Sequence, residues 1–393
     1  MLYAQVVLPL AQPMYTFSVD EALGVGIGDA VVVQFGSSRY YTGIVWSITT
    51  QKPEYPRLKP ILKRLYTTPL LTPEAQRLWE WMADYYMCSI GEVMRLALPS
   101  LAKPSATTLD DLMERRLEPR RERYIALAEP LRSSEAFEAY VQAHAKRAPQ
   151  RIATLRMIRD IAQRRKATDG FVPRRRISVD AARLKEMLNK EVIVEELRCT
   201  TLGTHNIDDE FLLPTLSPAQ QRALEATHQT LDEGRVALLH GVTGSGKTAI
   251  YEHLIAETLT SGRDVLLLVP EIVITSQLIE RLERIFDSLT TTYHSRLTPL
   301  RRGQTYLRLA ASTGGELVVG VRSALFLPLR HLGLVIVDEE HDASYKQSER
   351  PPLYNGRDCA IYLAHLYGAR VVLGSATPSM ESYANALSGK YGY

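Results

Sequence analysis

The sequence predicts an α/β chain in three parts: a small β-rich N-terminal domain, a helical middle domain, and a lobe built on a parallel sheet. Three observations carry this. From Leu216 onward, apolar stretches of strand length alternate with helical periodicity. One of those strands runs directly into a glycine-rich turn and then a helix. The first fifty residues instead show short strands punctuated by Gly and Pro turn signals.

The glycine-rich turn is Gly241-Val242-Thr243-Gly244-Ser245-Gly246-Lys247-Thr248. Val236–His240 before it has strand length, and Ala249 to Thr260 reads as a helix with Ile250, Leu254, Ile255 and Leu259 on one face. This is the context a phosphate cradle needs, and a chance glycine turn lacks it. Glycines let backbone N–H groups converge on phosphate oxygens, and the helix N-terminus adds its dipole. Gly241, Thr243, Gly244, Ser245 and Gly246 form the cradle, Lys247 reaches the β- and γ-phosphates, and Thr248 holds Mg²⁺. The expected cofactors are therefore ATP and Mg²⁺. About 90 residues on, apolar Leu334 to Val337 places Asp338-Glu339-Glu340-His341 at a strand end. Asp338 can hold Mg²⁺ through water, and Glu339 can polarise an attacking water, which completes a catalytic set with Lys247.

The 393 residues suffice for two or three domains, and 45% apolar content is ordinary for a packed core. No apolar run approaches the roughly 20 residues of a membrane span, and Met1-Leu2-Tyr3-Ala4-Gln5 carries no basic leader signal. Cys88, Cys199 and Cys359 make no metal pattern, so a reducing, cytoplasmic compartment is expected. A net charge of +3 decides little, but residues 141–185 hold thirteen Lys and Arg against three acids. Such a block marks nucleic-acid contact or a solvated helical face.

Within residues 1–104, strands are expected at Tyr3–Leu8, Ala30–Phe35 and Tyr40–Ile48. A helical segment is expected over 72–98, capped by Thr72 with Pro73 behind it, with Leu78, Trp81, Met82 and Tyr85 facing the core. Pro99 to Pro104 reads as a linker. In residues 105–205, helices at 150–162 and 179–190 precede a strand at Val192–Val194. That order resembles a winged helix, and a helical spacer with a basic surface fits it too. Arg156, Arg159, Arg164, Arg165, Arg174, Arg175 and Arg176 are its candidate phosphate contacts. In residues 206–393, Ser217 and Pro218 start a helix, and strands end at Val269, Val319, Val337 and Leu373. Parallel strands with ligands at their C-terminal ends follow from that alternation.

These segments resemble the superfamily 2 helicases. Gln220 matches the glutamine that reads adenine. Pro270 to Gln277 and Gly320-Val321-Arg322-Ser323-Ala324 match segments that line the DNA path. Ser375-Ala376-Thr377, together with His341, matches the elements that link ATP state to DNA. More closely, the run is similar to the primosomal N-prime family of replication-restart helicases. His294-Ser295, Val319 to Phe326, Asp338 to Asp342, Ser344-Tyr345-Lys346-Gln347 and Glu381 to Ala386 fit in order.

The resemblance implies a 3′-DNA-end-binding domain at 1–104, a winged helix with its linker at 105–205, and one RecA-like ATP-binding lobe at 206–393. The 3′-end pocket carries over to Tyr15, Thr16, Gly36 and Lys59, with Thr16 standing where the family usually has a carboxylate. Ser344 to Arg357 matches an aromatic-rich coupling loop, with Tyr345 and Lys346 as DNA contacts. The implied activity is an ATP-dependent 3′-to-5′ DNA helicase that starts primosome assembly at abandoned forks. The implied partners are forked and single-stranded DNA, single-stranded-DNA-binding protein and primosome proteins, with no membrane. The family's second lobe and its zinc region do not precede Tyr393, so zinc is expected only there and the chain reads as an N-terminal fragment. Alternatives are another superfamily 2 translocase, or a fork-binding module that does not turn over ATP.

Overall fold

The computed structural model describes residues 2–54, 58–118, 121–164, 169–199 and 211–393, leaving out the side chains of Glu122, Arg164, Arg175, Cys199 and Ser288. Two units emerge: residues 1–118 with 211–393, and residues 119–210.

In the first unit, strands β1 (Leu2–Val7), β2 (Tyr15–Val19), β3 (Ala30–Phe35), β4 (Arg39–Thr49) and β5 (Ile61–Arg64) form an antiparallel sheet in the order β2-β1-β4-β3-β5. A short β6 (Ser105–Ala106) pairs with β4, so the chain beyond the expected boundary at 104 still belongs to this sheet. β2 went unread in the sequence because Tyr15-Thr16-Phe17-Ser18-Val19 is too short to show a period beside Pro13. The expected helical segment is two helices, α1 (Pro73–Tyr85) and α2 (Ile90–Ala97), followed by α3 (Leu109–Glu114). The break falls where Met87 takes φ 50° and Ser89 opens α2 with a capping box to Glu92. The buried row of α1 is Leu78, Trp79 and Met82, while Tyr85 is 65% exposed. The expected apolar face was therefore turned: Trp79, not Tyr85, enters the core.

The lobe carries α7 (Pro218–Asp232), β10 (Val236–His240), α8 (Lys247–Thr260), β11 (Asp264–Leu268), α9 (Ser276–Phe286), β12 (Thr290–Tyr293), α10 (Pro299–Ala310), β13 (Leu317–Gly320), β14 (Leu332–Asp338), α11 (Gly356–Tyr367), β15 (Arg370–Ser375), α12 (Met380–Leu387) and β16 (Tyr391–Gly392); β7–β9 and α4–α6 belong to the second unit. Its strands run parallel in the order β12-β13-β11-β14-β15-β10-β16. Val265–Leu268 and Leu334–Val337 are wholly buried, as strands covered by helices on both faces must be.

The N-terminal part and the lobe share one core. Trp79, Met82 and Met94 belong to the same buried cluster as Tyr306, Leu309, Cys359 and Leu363. Polar groups on this seam are paired. Tyr306 donates to the Leu70 carbonyl at 3.0 Å, Arg330 to the Pro69 carbonyl at 2.7 Å, and the Thr72 and Tyr367 hydroxyls lie 2.7 Å apart. Trp81 stacks on Tyr362 with ring centroids 4.4 Å apart.

The second unit holds β7 (Arg121–Leu127), α4 (Ser134–His144), α5 (Pro149–Arg164), β8 (Val172–Pro173), α6 (Ala181–Asn189) and β9 (Ile193–Cys199). Its sheet is antiparallel in the order β8-β7-β9, packed on a core of Phe137, Leu155, Ile158, Leu184 and Met187.

Lys103, between α2 and α3, donates to the Leu98 and Arg95 carbonyls. Burial pushes its ammonium down to about 7, and Arg302 and Arg95 add to that. An unfolded lysine keeps its ordinary value near ~10.4, so from about pH 7 to about pH 10 the unfolded chain binds a proton that the folded chain does not. Lys103 thus favours folding more as pH rises through that window. The melting temperature of Lys103→Met relative to the parent should therefore fall between pH 7 and pH 9.5, by calorimetry. A constant difference would show that Lys103 titrates alike in both states.

Candidate functional site

The glycine-rich turn lies where the sheet order places it. β15 sits between β10 and β14, so Gly241 after β10, Ser375 at the end of β15 and Asp338 at the end of β14 share one edge. The Gly241 N–H donates to the Ser375 carbonyl at 3.1 Å. Gly244 and Gly246 take φ 79° and 83°, conformations that glycine adopts without strain. Gly246 is also confined, because a Cβ there would lie 2.2 Å from Gln220 Nε2. Gly246 caps the 14-residue α8 with no side-chain acceptor, and the Ala249 N–H bonds back to the Gly246 carbonyl at 2.9 Å, so the N–H groups ahead of it meet no capping side chain. That is an anion cradle by geometry, with Thr243 and Ser245 exposed on its rim and Thr248 in the first turn.

Lys247 Nζ donates to the Gly241 carbonyl at 2.8 Å, folded back on its own loop. Gln220 is the third residue of the α7 capping box: its Oε1 accepts from the Ser217 N–H at 2.9 Å, and its Nε2 donates to the Ser245 carbonyl at 3.2 Å. Nε2 of Gln220 therefore braces the glycine-rich turn while Oε1 closes the start of α7, a role that the sequence did not disclose.

Asp338 is half-buried. Tyr251 from α8 donates to its Oδ1 at 2.9 Å, and Tyr345 donates to its carbonyl at 2.7 Å. Burial pushes the Asp338 carboxyl up, and Tyr251 and Lys247 pull against that. Glu339 takes φ 45°, a left-handed conformation rare outside glycine and costing about 1–3 kcal/mol. The Glu340 N–H on the Gly374 carbonyl at 3.1 Å and the Asp342 N–H on the Glu339 carbonyl at 2.8 Å hold that turn. Among the described residues no cluster of three His, Cys, Asp or Glu side chains suits a metal. Mg²⁺ needs no such cluster, since one or two carboxylates plus phosphates and waters suffice. Thr248 and Asp338 would suit that ion next to phosphates bound at the uncapped helix end.

His341, Ser375 and Thr377 come together. His341 Nδ1 lies 2.8 Å from Ser375 Oγ and 3.7 Å from Glu339, and its Nε2 lies 3.3 Å from Thr377 Oγ1. Glu340 is the acid that the sequence left without a role. It is buried, and accepts from Arg357 at 2.8 Å, the Ser379 N–H at 2.6 Å and Ser382 at 2.9 Å.

The loop from Ser344 to Arg357 differs from expectation. Tyr345 and Tyr354 are each 1% exposed, so neither offers a ring face to a base. Arg357 serves Glu340. Arg322 donates to the Ser344 carbonyl at 3.0 Å and lies 5.6 Å from the Tyr354 ring centroid. Lys346 remains exposed, with Nζ on the Leu353 carbonyl at 2.7 Å and 5.8 Å from the Tyr86 ring.

In the N-terminal sheet, Tyr15 lies in the inward row of β2 with Phe17 and Val19, its ring 4.5 Å from Phe35, while Thr16 lies in the outward row. Exposed Lys59 donates to the carbonyl of Gly36, and the Lys59 carbonyl accepts from Ser18 at 3.0 Å. Tyr15, Gly36 and Lys59 thus come together at one rim, with Thr16 on the other face of its strand.

Several middle-domain arginines are spoken for. Arg159 binds Glu138 and Ser134, and Arg174 binds the carbonyls of Ile177 and Val179. Arg156 is exposed; Arg165 and the side chains of Arg164 and Arg175 lie outside the described residues. No helix among the described residues is long and apolar enough to cross a membrane.

A parallel sheet with a glycine turn at one strand end and an acid at another defines the class: a P-loop lobe. Residues 217–386 match the DEAD/DEAH box helicase family, and residues 5–99 match the 3′DNA-binding domain of PriA. The Replication restart protein PriA of Chlamydia trachomatis is 33% identical over 368 residues, covering 90% of this chain and 45% of that protein. Its counterpart in Rickettsia felis is 31% identical over 393 residues, covering 100% and 45%. That of Helicobacter pylori is 49% identical over 185 residues, covering 47% and 29%. The chain is PriA-like over most of its length, and it spans just under half the length of the first two relatives.

Removing Arg357 leaves Glu340 buried with only hydroxyl and N–H partners. Arg357→Ala should destabilise the first unit by about 3–5 kcal/mol in urea unfolding, the range for a broken buried pair. A loss under about 1 kcal/mol, the surface-pair range, would show that water reaches Glu340.

Proposed function

We propose that this chain forms the fork-reading and ATP-binding part of an ATP-dependent 3′-to-5′ DNA helicase that restarts replication at abandoned forks. The observation that carries the reading is the shared core: one unit joins a segment matching a PriA 3′DNA-binding domain to a P-loop lobe. Lys247 and Thr248 engage the phosphates and Mg²⁺, Asp338 holds the ion through water, and Glu339 orients the attacking water. Gln220 swings from its brace to adenine. His341, Ser375 and Thr377 pass the state of the site to Arg322 and Lys346 on the DNA side. Tyr15, Gly36 and Lys59 hold the 3′ end of a nascent strand, with Thr16 on the other face of its strand.

The domains run 1–104, 105–205 and 206–393, with 105–118 returning to the N-terminal sheet. The second unit acts as a winged helix; three helices on a small antiparallel sheet support that reading. Single-stranded-DNA-binding protein and primosome proteins are the further partners, and the compartment is the cytoplasm. Residues 1–393 alone hydrolyse ATP slowly and unwind nothing. An arginine finger from a facing lobe is worth about 10³–10⁵ in rate, and every motif here lies on the lobe of the P-loop.

The experiment is fork binding by residues 1–393, with the nascent end carrying a 3′-hydroxyl or a 3′-phosphate, beside Lys59→Ala. Preference for the hydroxyl end, reduced in the variant, is expected, together with Mg-ATP binding and DNA-stimulated turnover at least about 10³-fold below a two-lobed relative. Equal affinity for both ends would overturn the end-reading assignment. Turnover within tenfold of the relative would overturn the two-lobe requirement.

A further inference from the structure

Tyr251 stands out among groups with no assigned role. It sits in the second turn of α8, and it is 2% exposed. Its hydroxyl donates to Asp338 Oδ1 at 2.9 Å. Room for that hydroxyl comes from a third element. At Gly374, on β15, a Cβ would lie 1.6 Å from Tyr251 Oη and 3.3 Å from Asp338 Oδ1. Gly374 pairs with Asp338 in the sheet and directly precedes Ser375. Three elements therefore meet at one hydroxyl: the helix that begins with Lys247 and Thr248, the strand that ends at Asp338, and the strand that leads to Ser375-Ala376-Thr377.

We propose that Tyr251 is a positioning residue that fixes the Asp338 carboxylate relative to Thr248, and so sets the geometry in which Mg²⁺ joins the nucleotide. Thr248 and Tyr251 are three residues apart on one helix, so they share a side of it. The phenol donates to Oδ1, and the remaining acceptor capacity of the carboxylate would serve a metal-bound water. Without the phenol, Asp338 can rotate about its side-chain torsions, and the ion loses a preoriented acceptor. A second tyrosine works on the same residue from the other side: Tyr345 holds the Asp338 carbonyl. The carboxylate is thereby fixed at both its backbone and its side-chain end. Gly374 ties this clamp to the Ser375 motif, since any side chain there would expel the hydroxyl. The inference rests on the nucleotide-binding reading above and goes beyond it by assigning two residues that carry no motif signature.

The test uses residues 1–393 and a fluorescent ADP, read by anisotropy with EDTA and across a Mg²⁺ titration. Tyr251→Phe keeps the ring and removes one oxygen, and its melting temperature checks the fold. Affinity for metal-free ADP should stay within about twofold of the parent, while the Mg²⁺ concentration giving half-maximal enhancement rises about tenfold, the scale of one charge-assisted hydrogen bond. Gly374→Ala should raise it similarly, and the double variant should add little to either single change. An unchanged Mg²⁺ requirement in Tyr251→Phe would overturn the proposal. So would equal losses with and without metal, which mark a merely structural phenol. Should the parent itself fail to bind ADP under any condition, the nucleotide reading falls, and this proposal falls with it.

Discussion

The packing of α1 against α11, with α10 against the turn at Ser100–Ala102, is the constraint on which the rest of the first unit depends. It is apolar at its centre, where Trp79, Met82 and Leu363 share a cluster, and polar groups at its margin are matched one to one. Separating the two halves would exchange the Tyr306–Leu70 and Arg330–Pro69 hydrogen bonds for bonds to water, a net loss of about 0.5–1.5 kcal/mol each beyond the lost burial. The N-terminal sheet and the lobe are therefore parts of one body. A rim at Tyr15, Gly36 and Lys59 keeps a fixed relation to an edge at Gly241, Asp338 and Ser375.

The seam also reaches the ATP-side loop. At the end of α1, the Tyr86 hydroxyl accepts from the Asn355 N–H at 3.1 Å and lies 3.8 Å from Cys359 Sγ. Asn355 caps α11, and Lys346 rests near the Tyr86 ring. The same loop holds Asp338 through Tyr345 and Glu340 through Arg357. Tyr345, expected to face DNA, is thus committed to the interior while Lys346 stays exposed, and the loop acts as a strut between the N-terminal part and the acids. The strained backbone at Glu339 fits this picture, because a strut braced at both ends can hold a conformation that the residue would otherwise leave.

What the sequence disclosed follows from the range of the interactions. Strand, glycine turn and helix at Val236–Thr260 are local, so both the elements and the cradle were legible. Buried parallel strands such as Leu334–Val337 are continuous apolar runs, and they too were legible. The face of α1 was misjudged because Leu78, Trp79, Trp81, Met82 and Tyr85 offer two overlapping apolar stripes, and only the neighbouring helices decide between them. Tyr345 and Tyr354 alternate with basic residues as a stacking loop would. Their burial depends on Asp338 and Phe326, which local pattern cannot show. Arg159 and Arg174 counted as charge in the sequence and serve as braces in the fold. Tyr251 carried no signal, since a tyrosine inside a helix reads as core until its hydroxyl is seen to meet an acid.

Native-state hydrogen exchange on residues 1–393 tests the single-body account most directly. Slowly exchanging amides of β1, β4 and α1 should open with the same free energy and denaturant slope as those of β11 and β14. Exchange in β1 and β4 through a separate opening at distinctly lower free energy, while β11 and β14 stay protected, would contradict it.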